Sequence, residues 1–314
     1  MIIPMRSACS GAWPGETMRP MPPDAAHTPL TDFLHRHQRI FVLTGAGCST
    51  ESGIPAYRDP SGEWARKQPV TWQAFSGDPH MRKRYWARSM VGWRSFGVAI
   101  PNGAHRALAV LERSGKLSGL VTQNVDRLHQ DAGHRDVIDL HGRLDTVICL
   151  GCGMRLMRSR HQQTLESANP QWLAHAAAVA PDGDADLESG QFDLFAVPDC
   201  HRCGGMLKPD VVFFGESVPR ERVDASMRRL QTSDAMLVVG SSLMVYSGFR
   251  YARTAAELGL PIAAINMGRT RADVLLRFKV ERPCASALSD ALAALAIADP
   301  SLNPGAEPSR TSPA

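Results

Sequence analysis

Five short apolar runs organise the middle of the chain: RIFVLT at 39–44, LSGLVT at 117–122, DVIDL at 136–140, AMLVVG at 235–240 and PIAAIN at 261–266. Continuous rather than alternating apolarity is what a strand buried on both faces requires, so each run reads as a strand of a parallel sheet. Between several of them the period lengthens to that of a helix. In PNGAHRALAVLERSG, at 101–115, Ala104, Ala107, Leu108 and Leu111 fall on one face, and Gly115 stands where a helix C-cap is expected. Residues 220–232 and 248–259 supply further crossover helices. This alternation predicts an α/β fold with a doubly wound, Rossmann-like parallel sheet.

Two stretches break the pattern. Residues 67–101 carry Trp72, Tyr85, Trp86 and Trp93 at partly helical spacings and are expected to form a helical lid packed by its aromatics. Residues 149–206 are bounded by cysteine pairs and form a candidate small module. The expected division is therefore a Rossmann-like domain over 28–148 and 207–298, with the helical insertion inside it and the module over 149–206. The ends, 1–27 and 299–314, are rich in Pro, Ser, Gly and Ala without periodicity and are expected to be disordered.

Polar clusters follow each strand: Gly45-Ala46-Gly47, Gln123-Asn124-Val125-Asp126, His141-Gly142, Gly240-Ser241-Ser242 and Asn266-Met267-Gly268. Ligands of an open parallel sheet sit beyond the carboxyl ends of its strands, so the five clusters are expected to face one crevice. The backbone N–H groups of Gly45 to Gly47, with a short helix starting near Ser49, would make an anion nest. A hydride-transferring dehydrogenase keeps a long helix after such glycines and an acidic residue about twenty positions on. Here Gly53 and Pro55 interrupt the helix, which argues against that class.

Composition narrows the reading further. The 44% of hydrophobic residues suffice for a sizeable core, and the 35 basic and 31 acidic residues, net +4, form no long one-sign block that would favour nucleic acid. No export-type leader and no run of roughly eighteen apolar residues is present in this sequence, so a cytoplasmic protein without a membrane or nucleic-acid partner is expected. In a reducing compartment CLGC (Cys149, Cys152) and CHRC (Cys200, Cys203) read as four zinc thiolates rather than disulfides, with buried free cysteines as the competing reading. Four thiolates complete a tetrahedron, so this Zn2+ would be structural. The 47 residues between the pairs exceed a usual zinc ribbon. A zinc-ribbon protein binding nucleic acid or a partner is the non-enzymatic alternative; Asp182, Asp184, Asp186, Glu188 and Asp193 oppose it, because they would repel phosphate.

GAGCSTESGIPAYR, TQNVDRLH, LHGR, the paired Cys-x-x-Cys, LKPDVVFFGE, VVGSSL and INMG, in this order, resemble the sirtuins, the Sir2 family of NAD-dependent protein deacylases, over about residues 30–290. RYWARSMVGW, APDGD and LKPDVVFFGE are similar to the class II branch. The resemblance implies that an acyl-lysine carbonyl oxygen attacks the ribose of NAD as nicotinamide leaves. His141 then activates a ribose hydroxyl against the resulting alkylimidate, and the acyl group ends on ADP-ribose. Imidazole, which titrates near neutrality, suits that work.

The same resemblance implies the other roles. Gly45, Ala46, Gly47, Ser49 and Thr50 would hold the pyrophosphate side. Pro55 and Gly53 free 54–66 as a flap on which Tyr57 keeps water from the reacting carbon and Arg58 helps organise the phosphates. Asn124 and Asp126 would act at the nicotinamide and ribose, with Gln123 orienting the ribose. Gly240, Ser241, Ser242, Asn266, Met267 and Gly268 would hold the adenosine half, with a backbone contact from Cys284. Acyl-lysine proteins or peptides would pair with Val212, Phe213, Phe214 and Gly215. Tyr85 and Arg88, one helical turn apart, resemble a pair found in sirtuins that accept acidic acyl chains and predict use of glutaryl-like groups; a solvated arginine beside a packed aromatic is the alternative. Cys48 reads as a buried filler in preference to an activated nucleophile. An NAD-dependent ADP-ribosyltransferase working in the same crevice stays open as the alternative enzyme.

Overall fold

All five apolar runs form strands of one parallel sheet. The computed structural model describes residues 28–66, 68–175, 180–185, 187 and 192–297, so both ends expected to be disordered lie outside the described residues. In chain order the elements are α1 (Pro29–Arg36), β1 (Ile40–Thr44), α2 (Trp72–Gly77), α3 (Pro79–Phe96), α4 (Gly103–Arg113), β2 (Leu117–Thr122), α5 (Leu128–Asp131), β3 (Val137–Asp139), β4 (Gly142–Cys149), β5 (Arg155–Met157), α6 (Arg158–Ala168), β6 (Leu207–Val211), α7 (Arg220–Gln231), β7 (Ala235–Val239), α8 (Tyr246–Glu257), β8 (Ile262–Ile265), β9 (Phe278–Val280) and α9 (Cys284–Ala294). The large sheet runs β3-β2-β1-β7-β8-β9, and every neighbouring pair is parallel. This is the doubly wound order, with its switch point between β1 and β7. The outermost strand, β9, was not among the expected ones: its three residues lie between Arg277 and Glu281 and carry no apolar run of strand length.

Both faces of the sheet are covered, which explains the unbroken apolar runs. Ile40 and Val42 pack with Leu34, Leu108, Leu111 and Leu288 of α1, α4 and α9, while Phe41 and Leu43 pack with Leu230, Tyr251 and Ala252 of α7 and α8. Each such fully buried large side chain contributes about 2 kcal/mol. Among the described residues no helix is long and apolar enough to cross a membrane.

The smaller unit is wider than the expected 149–206. Its antiparallel sheet, β5-β4-β6, reaches from Gly142 to Val211, because β4 and β6 pair with each other and not with the large sheet. The helical insertion belongs with it. Tyr85, Trp86 and Met90 of α3 share a core with Val147, Leu165, Trp172 and Phe195. The buried Arg158 guanidinium donates to Gln162 Oε1 (2.7 Å) and to Ser89 O (3.1 Å) and lies over the Trp93 ring. Insertion and cysteine module thus share one core, where a helical lid packed by its aromatics was expected.

At the switch point the β1 and β7 loops touch. Gly47 N–H donates to Gly240 O (2.8 Å), and a Cβ on Gly240, at φ +62°, would stand 2.1 Å from the Cys48 nitrogen. Gly240→Ala is therefore expected to destabilise the protein by at least about 2 kcal/mol, read as a fall in urea midpoint at unchanged slope.

Candidate active site

The carboxyl ends of the large sheet and the flank of the smaller one enclose a cavity of about 1120 Å3. Its rim holds Gly45, Ala46, Gly47 and Thr50 after β1, and Gly240, Ser241 and Ser242 after β7. Gln123 and Asn124 enter after β2, His141 after β3, and Asn266 and Met267 after β8; Cys284 closes the far end. All five strand-end clusters thus contribute to one hollow. The helix expected near Ser49 is two 3-10 turns, Ala46–Cys48 and Thr50–Ser52, closed by Gly53 in the left-handed conformation.

Four expected cofactor contacts do not reach the cavity surface: Ser49, Pro55, Asp126 and Gly268. Ser49 and Asp126 brace the glycine loop from behind. Asn124 Nδ2 donates to Gly45 O and to Ser49 Oγ, both at 3.0 Å, and Ser49 Oγ donates to Asp126 Oδ2 (2.7 Å). Burial raises the Asp126 pKa, and the Ser49 hydroxyl and Leu128 N–H oppose that rise. Gly268 lies under the flap, where a Cβ would meet Pro60 O at 2.2 Å.

His141 is held at both nitrogens. Nδ1 lies 3.0 Å from Gln123 O and Nε2 lies 2.9 Å from Ser247 Oγ. A carbonyl oxygen only accepts, so Nδ1 carries the proton and the Nε2 lone pair remains. Burial lowers the pKa to about 4, with the Gln123 carbonyl opposing and Arg222 and Arg250 adding to the fall. The ring is accordingly neutral at pH 7 and able to accept a proton at Nε2.

Tyr57 and Arg58 both line the cavity. The Tyr57 ring meets Phe214 edge-on (5.9 Å between centroids), and Trp64 completes a triangle with Phe214 at 5.5 Å. Arg58 is turned onto its own segment, its guanidinium 4.1 Å from the Trp64 ring centroid and Nη1 donating to Gly62 O (2.8 Å). Val212, Phe213, Phe214 and Gly215 form the adjoining wall; β6 has already ended at Val211, and Val212 N–H donates to His141 O (2.8 Å).

Tyr85 lines the cavity but Arg88 does not. The Arg88 Nε lies 3.7 Å from Asp184 Oδ2, with the two side chains only 14% and 3% exposed. Arg88, expected to pair with an acidic acyl chain, thus stands behind the wall beside Asp184, while Asp182 lines the cavity; burial, with Asp182 adding, pushes the Asp184 pKa well up, and burial raises that of Asp182. Cys48 is a buried filler, its thiol pKa raised well above the ordinary value by burial. Behind it, His105 Nδ1 accepts the Asn102 N–H (3.3 Å) and His129 Nε2 meets Thr44 Oγ1 (2.9 Å), so these rings serve the packing beneath the loop.

Ser247, Trp64 and Asp182 were missed by sequence reasoning. Trp64 lies within the expected flap, and an aromatic residue there was the available signal. Ser247 is the second residue of α8, and nothing in its local pattern sets it apart.

The four module cysteines gather around a point. Their Sγ atoms all lie within 4.8 Å of one another, with Cys149 to Cys203 at 3.5 Å and Cys152 to Cys200 at 3.8 Å. The N–H of Cys152, ahead of that of Gly151, lowers the Cys149 thiol pKa to about 6, towards the thiolate that zinc requires. All-sulfur donors at this spacing fit one tetrahedral Zn2+ with no open position.

A doubly wound sheet with glycine loops at its switch point and a neutral imidazole in the same cavity define a dinucleotide-binding enzyme carrying a structural zinc module. A model described as the Sir2 family matches residues 45–247, and the chain belongs to that family. It is 63% identical over 264 residues to the NAD-dependent protein deacetylase 2 of Bradyrhizobium diazoefficiens, covering 84% of this chain and 97% of that one. It is 64% identical over 263 residues to the NAD-dependent protein deacetylase of Xanthomonas axonopodis pv. citri, covering 84% and 90%. Among solved structures it resembles a Sir2 with a p53 peptide and NAD+, at TM-score 0.69 and 28% identity, covering 86% of this chain and 98% of that one.

The purified protein is expected to hold one zinc per chain. Removal of that zinc by chelation, or Cys152→Ser, is expected to lower the melting temperature by on the order of 10 °C, measured by calorimetry beside metal analysis.

Proposed function

We infer that the chain is an NAD-dependent protein lysine deacetylase, in which acyl transfer from lysine to ADP-ribose accompanies release of nicotinamide. The observation that carries this reading is His141: a neutral imidazole with its proton fixed on Nδ1, in one cavity with the two glycine loops. When bound, NAD supplies a ribose activated by its nicotinamide leaving group as the acceptor of the acyl group. Gly45 to Gly47 and Gly240 to Ser242 would cradle the phosphates and the adenosine half by close backbone approach and by the serine hydroxyls, since the N–H groups of Gly45, Gly47 and Gly240 are already given to Val239 O, Gly240 O and Ile265 O, with Asn266 and Cys284 beside them. Asn124 and Gln123 orient the nicotinamide and ribose. The Gln123 amide is itself fixed, donating to Ser241 Oγ (2.8 Å) and Thr44 O (3.2 Å). Tyr57, Trp64 and Phe214 shield the sugar from water, which would otherwise compete as the acceptor.

His141 takes a proton at Nε2, and its Nδ1–H stays on the Gln123 carbonyl as the ring becomes cationic. Acyl-lysine peptides lie along Val212 to Gly215, where main-chain pairing supplies affinity. Short neutral acyl groups are the expected chains, since Arg88 lies outside the cavity beside Asp184. Membership of the family leaves nothing in favour of a zinc-ribbon nucleic-acid binder, and no observation favours ADP-ribosyl transfer to protein.

Purified protein with NAD and an acetyl-lysine peptide is expected to release nicotinamide and free lysine together, and His141→Ala is expected to lower kcat by at least about 100-fold. The histidine is deprotonated above its pKa, so kcat/KM falls on the acid side only. Because burial holds the free-enzyme value near 4, the profile is expected to stay flat from pH 8 down past 6.5, the ordinary histidine value. A His141→Ala protein that matches the parent, or an acid limb centred at 6.5 or above, would contradict this assignment.

A further inference from the structure

The lone pair that His141 needs for its chemistry is already taken. Nδ1–H belongs to Gln123 O, so at the 2.9 Å contact on the other side the Ser247 hydroxyl must be the donor and Nε2 the acceptor. A hydroxyl arriving in the cavity therefore meets Ser247 on the path to the base. Ser247 is itself a cavity-lining residue, only partly exposed, at the second position of α8.

The contact is built into the fold. The first turn of α8 is pressed against Gln123, the same residue whose carbonyl orients His141: a Cβ on Gly248 would stand 2.4 Å from Gln123 Oε1. Gly248 N–H closes the turn onto Val245 O (3.2 Å). No side chain caps this helix start, so Ser247 is not engaged as an N-cap and its hydroxyl is directed to the imidazole. Gln123 thus sets both the ring and the hydroxyl that meets it.

We propose that Ser247 is a positioning and proton-relay residue for His141, handing to Nε2 the proton of the hydroxyl that the base activates. As that hydroxyl gives its proton to Ser247 Oγ, the proton already on Oγ moves to Nε2. Ser247 ends as a neutral hydroxyl, His141 ends as an imidazolium still bonded to Gln123 O, and the activated oxygen keeps its electron pair for attack. The proposal rests on the deacetylase reading above and adds a residue to it. In the free protein the same hydroxyl keeps the ring in its working rotamer.

Two measurements test it, one of them without substrate. In histidine-15N-labelled, ligand-free protein, the Nε2 resonance of His141 is expected to show a hydrogen-bonded acceptor, and Ser247→Ala is expected to move it downfield towards a free imidazole nitrogen while Nδ1 stays protonated. In turnover, Ser247→Ala is expected to lower the rate of acyl transfer by at least about tenfold while exchange of labelled nicotinamide into NAD, which precedes the base step, persists; Ser247→Thr, which keeps a hydroxyl, restores transfer. Zinc content and melting temperature of each variant establish that it is folded. An alanine variant with the parental transfer rate, or a parental Nε2 resonance unaffected by the substitution, overturns the relay alone. A parent that releases no nicotinamide from NAD and acetyl-lysine peptide overturns the deacetylase reading and the relay with it.

Discussion

The site depends on the close approach of two glycine loops at the point where the sheet reverses its winding. The Gly47 N–H bond to Gly240 O, at 2.8 Å, is possible only because neither residue carries a Cβ, and it locks the tip of β1 to the tip of β7. From that junction the remaining strand tips fan out on either side, so that polar side chains widely separated in sequence open into one hollow. Side chains at the junction would push the loops apart, and the bracing set of Asn124, Ser49 and Asp126 would have nothing to hold.

A second constraint acts on the imidazole. Burial keeps His141 neutral, and one backbone carbonyl chooses which nitrogen bears the proton. No carboxylate takes part, in contrast to the one that orients many catalytic histidines, and the Arg222 and Arg250 charges add to the lowering. The same economy recurs in the cysteine module, where peptide N–H groups lower the Cys149 pKa towards the thiolate. Arg158 does the opposite: a full charge is buried between α3 and α6 and held by carbonyl, amide and aromatic partners, which joins the insertion to the module.

Much of this was legible in the chain. Strands buried on both faces leave unbroken apolar runs, so β1, β2, β7 and β8 could be read directly, with the short half-buried edge strand β3 beside them, and so could the polar clusters at their ends. The two Cys-x-x-Cys pairs pointed to four zinc ligands, against a competing reading as buried free cysteines, and the four Sγ atoms gather around one point. What could not be read depends on pairing across the fold. β4 alternates buried and half-buried positions and looks like any half-exposed strand, so its departure from the large sheet became visible only with its partners β5 and β6. Arg88 was read from its spacing to Tyr85 alone, because its neighbour Asp184 lies far along the chain and comes to it only through the packing of the module. Ser247 was missed for the same reason: it meets His141 across 106 residues.

The central claim is that this cavity directs an acyl group to a sugar hydroxyl in preference to water. The identity of the acyl acceptor tests it most directly, by mass spectrometry of all products from NAD and a peptide labelled in its acetyl group. The account predicts labelled O-acetyl-ADP-ribose in one-to-one ratio with nicotinamide and deacetylated lysine. Free labelled acetate as the immediate product, or ADP-ribose attached to protein with the peptide left acetylated, would contradict it.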